Sequence, residues 1–312
     1  MTDIVITEFL EPGAVKVLER DYRVLWDRDL WNKRKELETL VRDIPALIVR
    51  NRTRVDKALL DLAPNLKVVG RLGVGLDNID VAECKARGIE ICAARGANAN
   101  SVSEYVIAMA MTLLRGAAYT SSARLVTGQW PREELGKGAE LAGKVLGIIG
   151  LGSIGATSAR KASALDMRVI AFDPNLPEAH ENWKLARKVA LNELIGTADV
   201  ITLHCELSKE TRGLMGKEAL ARMKKGAILI NSARGGIVDE AACAAGLKSG
   251  HLGGAALDVF DDEPIKADVG KLFAGIPNVI LTPHISGVTL EANSRVSFMT
   301  VESVVQVLKR TR

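Results

Sequence analysis

The sequence predicts an α/β protein built from two parallel-sheet domains with a cleft between them, and three observations support this fold class. Short runs rich in Val, Ile and Leu alternate with polar amphipathic segments, a pattern typical of parallel strands joined by crossover helices. Residues 145–174 contain a complete strand, glycine turn, helix and second strand. The 312 residues are enough for two domains of ordinary size, each with its own core.

The first part of the chain contains five short apolar runs separated by helical patterns. We expect each run to be a strand and each segment between two runs to be a helix. The runs are IVIT, RVLW, ALIVR, LKVVGRLG and IEICA.

A helix from Ser101 to Val126 is predicted next, because the segment is apolar through YVIAMAMTLL. Its apolar part, Tyr105–Leu114, is shorter than the roughly 20 residues that crossing a bilayer requires. The segment therefore predicts a buried element that links two domains or packs in a symmetric dimer.

Four more apolar runs follow the glycine turn and predict further strands, namely DVITLHC, AILINSARG, GAALDVF and NVILTPH. Residues 289–312 are helical and have no strand of their own, so we expect them to pack against the first domain. The predicted domains are a discontinuous substrate-binding domain, residues 1–98 and 286–312, and a nucleotide-binding domain, residues 99–285.

The turn GLGSIG has the glycine spacing of a dinucleotide site. Gly150 permits a tight turn, Gly152 lets the backbone approach a pyrophosphate, and Gly155 lets the helix pack closely on the strand. Asp173 ends the second strand, where a carboxylate accepts hydrogen bonds from ribose hydroxyls and repels a 2′-phosphate. The unit is Rossmann-like and predicts NAD rather than NADP as the cofactor. A glycine turn without a ligand and a methyltransferase share part of this pattern, and both must also explain the residues downstream.

Composition and charge limit the classes of protein to which the chain can belong. The formal net charge is +4, with 42 Lys and Arg spread among 38 Asp and Glu, which gives no support to nucleic-acid binding. The N-terminal run MTDIVITEFL predicts a strand rather than an export signal. We expect no metal and reduced thiols in the cytoplasm, because the cysteines have no metal-ligand spacing. These cysteines are Cys84, Cys92, Cys205 and Cys243.

Charged side chains follow three of the downstream strands at the point where each strand ends. Arg234 follows AILIN, Asp258 and Glu263 follow GAAL, and His284 follows VILTP. Taken singly, each residue is commonly an ion-pair partner or a solvated side chain. Because the carboxyl ends of parallel strands meet at one edge of a sheet, together they predict a site. A guanidinium binds a carboxylate bidentately, and a histidine beside a carboxylate is a candidate acid or base.

Six sequence blocks resemble, in family order and over nearly the whole chain, the D-2-hydroxyacid dehydrogenases that use NAD. This family includes phosphoglycerate, glycerate and sulfolactate dehydrogenases. The blocks are VGRLGVGLDNIDV, ANANSVSEY, LAGKVLGIIGLGSIG, LINSARGGIVDE, GAALDVFDDEP and LTPHISG. The resemblance implies two Rossmann-like or flavodoxin-like domains, and it identifies Arg234, Glu263 and His284 as the catalytic residues. It implies that His284 exchanges a proton with the substrate hydroxyl, that Glu263 stabilises the imidazolium and that Arg234 binds the substrate carboxylate.

The resemblance also implies binding residues. Asp258 is expected to hold the nicotinamide carboxamide, and His204 and Thr211 to line the cofactor. The full expected cofactor-binding set is Gly150, Gly152, Ser153, Ile154, Gly155, Asp173, His204, Thr211, Ala233, Asp258 and Gly287. The expected substrate-binding set is Arg52, Val74, Gly75, Arg234 and His284.

Three arginines lie within residues 50–54, where the family's substrate loop is found. Any one of them is more often a solvated side chain. If Arg50 and Arg52 both face the substrate, they suit a second anion beyond the carboxylate. We therefore expect a small anionic 2-hydroxy acid of the 3-sulfolactate, 3-phosphoglycerate or glycerate type, with a preference for 3-sulfolactate.

Two other functions fit the same fold. An NAD-sensing, corepressor-like binding protein would keep the same residues, and a formate or phosphonate dehydrogenase would ignore ordinary 2-hydroxy acids. The favoured expectation is a cytoplasmic NAD-dependent oxidoreductase that forms a homodimer and has small-molecule partners only, with neither nucleic acid nor membrane.

Overall fold

The computed structural model describes residues 2–116 and 121–311. The chain divides into two compact units, Met1–Asn98 with Val288–Arg312, and Ala99–Gly287. Each unit is α/β with one parallel sheet, which confirms the predicted fold class. The predicted second boundary, between residues 285 and 286, lies just before the observed one. The roles assigned to the two domains stay predictions.

The first unit is built around a five-stranded sheet. Its elements up to residue 98 are β1 (Ile4–Ile6), α1 (Pro12–Leu18), β2 (Val24–Trp26), α2 (Arg34–Leu40), β3 (Ala46–Val49), α3 (Lys57–Asp61), β4 (Val68–Arg71), α4 (Val81–Ala86) and β5 (Glu90–Ala93). The strand order is β2-β1-β3-β4-β5, and neighbouring strands are parallel. Successive side chains of a strand face opposite sides of the sheet, so Ile4 and Ile6 enter one hydrophobic cluster and Val5 enters the other.

The second unit has a seven-stranded sheet. Its elements are α5 (Ala99–Arg115), α6 (Ser121–Leu125), α7 (Arg132–Leu135), β6 (Val145–Ile149), α8 (Ser153–Ser163), β7 (Arg168–Phe172), β8 (Arg187–Lys188), α9 (Leu191–Thr197), β9 (Val200–Leu203), α10 (Lys217–Arg222), β10 (Ile228–Asn231), α11 (Glu240–Lys248), β11 (Gly254–Leu257), α12 (Ala267–Leu272) and β12 (Val279–Leu281). The order is β12-β11-β10-β9-β6-β7-β8, all parallel. The two-residue strand β8 was not predicted, because it carries only two exposed basic residues.

The single helix predicted from Ser101 to Val126 is wrong in length. Helix α5 ends at Arg115, and Gly116 follows with φ of +61°, a left-handed conformation that commonly ends helices. Part of the predicted helix, residues 117–120, lies outside the described residues. The apolar face of α5 is covered by the core of its own unit through Val106, Ala110 and Leu113.

The last helix, α13 (Leu290–Arg310), packs on the sheet of the first unit. Its Val301 and Val304 belong to the same hydrophobic cluster as Ile6. The helix approaches β4 closely, because a Cβ on Gly70 would lie 2.7 Å from a methyl carbon of Val304. None of the described helices combines the length and the apolarity that crossing a membrane requires.

Candidate active site

Two loops meet where the strand order of the second sheet reverses, between β6 and β9. Gly150 follows β6 and His204 follows β9, and the amide of His204 donates to the carbonyl of Ile149 at 2.7 Å. In an open parallel sheet, a ligand binds beside the carboxyl ends of the strands at such a reversal. The glycine turn therefore lies at the place where the topology favours a binding site.

The three glycines of the turn differ in what surrounds them. Gly150 has φ of +94°, and a Cβ there would lie 2.8 Å from the carbonyl carbon of His204. A Cβ on Gly155 would lie 2.2 Å from the carbonyl oxygen of Gly150, so the start of α8 is held against the turn. A Cβ on Gly152 would meet open space. Close packing within the turn therefore excludes a side chain at Gly150 and at Gly155, whereas the space beside Gly152 is open.

The N-terminus of α8 faces that open position. Gly152 is its N-cap and provides no side-chain hydrogen bond to the first turn. The amides of Ser153 and Ile154, the first two helical residues, have no acceptor within the helix. Free amides at a helix N-terminus bind phosphate groups, so these residues fit the pyrophosphate of a dinucleotide.

Asp173 lies beside the glycine turn, directly after β7. Its Oδ2 accepts a hydrogen bond from the amide of Leu151 at 2.8 Å, and its Oδ1 accepts from Asn175 at 3.0 Å and Leu176 at 3.1 Å. A carboxylate has about four acceptor positions, so these bonds leave capacity for a ribose hydroxyl. The position fits the role predicted for Asp173.

His204 directly follows β9, and its ring is neutral. Its Nε2 lies 3.1 Å from the hydroxyl of Thr202, and burial lowers the pKa of His204 to about 3. Its Nδ1 is buried and has no hydrogen-bond partner among the described residues. An unpaired polar atom buried at this edge of the sheet fits a site that a cofactor completes.

Thr211 and Ala233 belong to loops that follow β9 and β10. The hydroxyl of Thr211 donates to the carbonyl of Glu206 at 2.6 Å and accepts from the amide of Ser208 at 2.7 Å, so it shapes its own loop. The amide of Ala233 donates to Oδ1 of Asn231 at 3.1 Å. Their contacts to a cofactor stay predictions.

The structure brings His284 and Glu263 together. Nδ1 of His284 lies 2.7 Å from Oε2 of Glu263, with 44% and 35% of the two side chains exposed. Burial raises the pKa of Glu263, but the interactions with His284, the Phe260 amide and Arg234 together outweigh burial, and the net pKa is lowered. The carboxylate therefore stays ionised beside the imidazole.

Arg234 follows β10 at the same edge of the sheet. Its Nη1 donates to the carbonyl of Ala233 at 2.6 Å. Its positive charge also contributes to lowering the pKa of Glu263. His284 and Arg234 thus both lower the pKa of Glu263, and all three residues predicted as catalytic belong to one unit.

Asp258 is fully buried at the end of β11. Its Oδ1 accepts from the Thr282 hydroxyl at 2.6 Å and from the Ile285 amide at 2.8 Å, and its Oδ2 accepts from the Ser286 amide at 2.8 Å. The carboxylate thus holds the segment that carries His284, and Gly287 ends this segment and the unit. The predicted contact of Asp258 with the nicotinamide carboxamide stays a prediction.

In the first unit, the strand order reverses between β1 and β3. Glu8, which is 4% exposed, follows β1 and accepts hydrogen bonds from the amides of Arg50 at 2.8 Å, Arg52 at 3.1 Å and Thr53 at 3.1 Å. One buried carboxylate therefore shapes the arginine loop. Residues 74 and 75, predicted to contact substrate, lie half-buried in the loop after β4.

Three arginines of this unit make cation–π contacts with aromatic rings. The guanidinium of Arg52 lies 4.7 Å from the ring centre of Trp31, and that of Arg50 lies 5.9 Å from Phe9. Arg28, from the loop after β2, lies 5.2 Å from the same Phe9 ring. Among the described residues, none of these arginines forms an ion pair with a carboxylate. Cation–π contacts hold these guanidiniums against the rings. Arg50 also donates to Oδ1 of Asn293 at 3.0 Å, and the charge of the buried Glu8 carboxylate acts on it.

Sequence reasoning missed Glu8, Thr282 and Tyr105. Glu8 directly follows an apolar strand, which is the signal that identified Arg234 and His284, so it was available. Thr282 lies next to the recognised His284 segment, but nothing marks its hydroxyl as a ligand of Asp258. Tyr105 lies in an apolar helix, and only the fold brings its hydroxyl to Thr282, at 2.8 Å.

Residues 107–286 match the family model described as D-isomer specific 2-hydroxyacid dehydrogenase, NAD binding domain. This match covers more than half of the chain and contains the glycine turn, Asp173, Arg234, Glu263 and His284.

Similar proteins support the same family. The (S)-sulfolactate dehydrogenase of Chromohalobacter salexigens is 48% identical over 309 residues, which are 99% of this chain and 99% of that protein. The D-3-phosphoglycerate dehydrogenase of Archaeoglobus fulgidus is 40% identical over 275 residues, 87% of this chain. The aligned part is 51% of that protein, so the chain spans about half of its length.

A solved structure shows the same fold. The structure of D-lactate dehydrogenase from Aquifex aeolicus, complexed with NAD and lactic acid, superposes with a TM-score of 0.85 at 28% identity. The superposition covers 99% of this chain and 96% of that chain.

Proposed function

The chain belongs to the D-isomer specific 2-hydroxyacid dehydrogenase family, and on that basis we propose that it acts on a small 2-hydroxy acid that carries a second anion, of the 3-sulfolactate type. It is an NAD-dependent dehydrogenase of the CH–OH group. The observation that carries the proposed roles of its residues is the His284–Glu263 pair, at 2.7 Å, in the unit that contains the glycine turn.

The bond to Glu263 selects the tautomer of His284. An ionised carboxylate only accepts hydrogen bonds, so Nδ1 carries the proton and Nε2 of the neutral ring has a free lone pair. Nε2 then takes the hydroxyl proton during oxidation and returns it during reduction. Glu263 stabilises the imidazolium that forms.

Arg234 supplies fixed positive charge. A guanidinium stays charged at any working pH and binds a carboxylate through two parallel hydrogen bonds. We assign it the substrate carboxylate and the stabilisation of negative charge on the C2 oxygen.

The cofactor is NAD, which when bound accepts a hydride from C2 of the 2-hydroxy acid and donates one in the reverse reaction. In the proposal, Gly152, Ser153 and Ile154 bind its pyrophosphate, Asp173 binds its adenosine ribose, and His204 lies beside it. The open space at Gly152 and the unpaired nitrogen of His204 support these assignments.

The second anion of the substrate is assigned to the arginines of the first unit. Arg28, Arg50 and Arg52 lie against aromatic rings, and among the described residues none of them forms an ion pair. Arg50 and Arg52 follow β3, at the reversal of strand order where open sheets bind ligands. A sulfonate or phosphate suits such a cluster. The similarity to an (S)-sulfolactate dehydrogenase along the full length of both chains favours the sulfonate.

A substrate panel tests the proposal. NADH oxidation is followed with 3-sulfopyruvate, 3-phosphohydroxypyruvate, hydroxypyruvate, pyruvate and a buffer blank, at matched concentrations. We expect the highest kcat/KM with 3-sulfopyruvate, and lower values with the two keto acids that lack a second anion. Equal values for hydroxypyruvate and 3-sulfopyruvate would contradict a second-anion substrate. NADH binding without turnover of any keto acid would indicate a binding protein instead.

We also propose a cytoplasmic homodimer. Apolar side chains near α6 and α7 are exposed, with Leu125 at 42%, Val126 at 84% and Trp130 at 78%, and a subunit interface at this place would cover them. Light scattering after size exclusion should give twice the chain mass of 33.5 kDa, and a monomer at micromolar concentration would refute this assembly.

A further inference from the structure

A chain of hydrogen bonds runs from helix α5 to the segment that carries His284. The hydroxyl of Tyr105 lies 2.8 Å from Oγ1 of Thr282, and that oxygen lies 2.6 Å from Oδ1 of Asp258. All three residues belong to the second unit, although Tyr105 and Thr282 are far apart in sequence.

The chemistry of the groups fixes the direction of these bonds. An ionised carboxylate only accepts, so the one hydroxyl proton of Thr282 is donated to Asp258. The bond between Tyr105 and Thr282 must then use the proton of Tyr105. Burial raises the pKa of Tyr105 to about 12, so the phenol keeps that proton at neutral pH. Hydrogen bonds in such a series polarise and strengthen one another.

Asp258, the acceptor at the end of this series, also forms hydrogen bonds with the backbone around His284. Its carboxylate accepts from the amides of Ile285 and Ser286, and its main-chain carbonyl accepts from the amide of His284 at 2.8 Å. His284 has φ of +56°, in the left-handed region that residues other than glycine seldom adopt. Residues in such a conformation persist only where their surroundings enforce it.

We propose that Tyr105 and Thr282 are positioning residues that, through Asp258, hold His284 in its left-handed conformation and in line with Glu263. The proposal has two consequences, a lower kcat and a changed position of the imidazole. The first rests on the proposed function, in which His284 is the acid–base group. The second holds whether or not the proposed substrate is correct.

At Tyr105 and at Thr282, a conservative substitution removes the hydroxyl and little else. Tyr105→Phe removes one oxygen and keeps the ring that packs against the core of the second unit. Thr282→Val removes the hydroxyl at nearly constant shape, and Thr282→Ser keeps it. Tyr22→Phe is the matched control, because Tyr22 is a buried tyrosine, 6% exposed, in the first unit.

The first measurement does not depend on activity. The chain has four histidines, so the Cε1–H region of the carbon–proton NMR spectrum contains four signals, and His284→Gln identifies that of His284. We expect Tyr105→Phe and Thr282→Val to shift the His284 signal and to leave those of His180 and His251 in place. Thr282→Ser and Tyr22→Phe should leave the His284 signal unchanged. An unchanged His284 signal in both Tyr105→Phe and Thr282→Val would overturn the proposal.

The second measurement is kinetic and uses the best keto acid of the panel. Tyr105→Phe and Thr282→Val should lower kcat about tenfold, as loss of an orienting partner typically does, with the KM for NADH nearly unchanged. Because Tyr105 acts through Thr282, the double variant should be no slower than Thr282→Val alone. Thr282→Ser should restore most of kcat. If the loss of kcat in the double variant equalled the product of the two single losses, Tyr105 and Thr282 would act independently, which would contradict the proposed series.

The two measurements separate this proposal from the proposed function. If the wild-type chain turns over no keto acid but the His284 signal shifts as described, the positioning role holds and the substrate assignment fails. If turnover is as proposed but both variants match the wild type in kcat and in the His284 signal, the positioning role fails alone.

Discussion

Asp199 joins the start of β9 to the start of β6 through Val145. Its Oδ2 accepts a hydrogen bond from the amide of Val145 at 2.8 Å, and its own amide donates to the Val145 carbonyl at 2.9 Å. Nζ of Lys224 lies 2.6 Å from the other carboxylate oxygen. These bonds fix the two strands whose opposite ends carry the glycine turn and His204.

Asp199 predicts a pH dependence of stability. Burial raises the pKa of Asp199, but the bonds from Lys224 and Val145 outweigh burial, and the net pKa is lowered. A lowered carboxyl pKa stabilises the fold above the unfolded pKa of about 3.9, and the contribution is lost as pH falls through the folded value. Asp199→Asn should cost about 1–2 kcal/mol in free energy of unfolding at pH 7. The difference from wild type should be constant down to about pH 5 and shrink below about pH 4.

Urea unfolding at several pH values checks this prediction, with Asp268→Asn as the control. Asp268 is exposed and, within the described part of the chain, takes part in no ion pair or hydrogen bond, so its variant should match the wild type throughout. A pH-independent loss in Asp199→Asn would show that the charge of Asp199 contributes nothing to stability.

The glycine turn predicts different effects for two alanine substitutions, a loss of stability at one position and a loss of NADH binding at the other. Gly155→Ala places a Cβ about 2.2 Å from a backbone oxygen and should lower stability by more than about 2 kcal/mol. Gly152→Ala meets open space, so the fold should survive while NADH binding weakens at least about tenfold. Thermal unfolding and fluorescence titration with NADH measure the two effects. Gly196→Ala, at an open position in α9, should change neither, and normal NADH affinity in Gly152→Ala would remove the turn from the cofactor site.

Removal of the imidazole should stop proton transfer. We expect His284→Ala to lower kcat by about 10²–10⁴-fold, the range for loss of a general acid or base, and to leave NADH affinity nearly intact. His251→Ala is the control, because His251 lies in another part of the second unit and contacts the Leu220 carbonyl at 3.1 Å. Steady-state kinetics with a fluorescence titration separate the two quantities, and wild-type turnover in His284→Ala would exclude the imidazole from the reaction.

The arginine loop should select for the second anion. Arg52→Ala removes a guanidinium stacked on Trp31 and should lower kcat/KM for 3-sulfopyruvate about 10–100-fold, which corresponds to roughly 1.4–2.7 kcal/mol. The loss with pyruvate should be much smaller. Arg54→Ala is the neighbouring control, since Arg54 is exposed and stacks on no ring in the described structure. Equal losses with both keto acids would contradict a specific role for Arg52.

The carboxylate of Asp173 should make the enzyme prefer NADH. A 2′-phosphate on the ribose would meet this negative charge beside the glycine turn. We expect kcat/KM for NADH to exceed that for NADPH by at least about 100-fold, because like charges in contact cost several kcal/mol. Comparable turnover with the two cofactors would refute the assignment of Asp173 to the ribose.

Local sequence patterns were sufficient for every strand except β8, for the glycine turn and for the charged residues after β10, β11 and β12. Each of these is a short-range signal, since a buried parallel strand is a continuous apolar run and its carboxyl end is marked by the first polar residue. The length of α5 was predicted wrongly because Gly116 ends the helix, and a single glycine within an apolar segment is a weak signal.

The fold class, the family resemblance and the identity of the charged residues could therefore be predicted from the sequence, because they depend on periodicity and order along the chain. Which side chains meet could be found only from the folded structure. The bond from Glu8 to the arginine loop and the series from Tyr105 through Thr282 to Asp258 join residues far apart in sequence. Hydrogen bonds act over about 3 Å, and no pattern of neighbours along the chain specifies such distances.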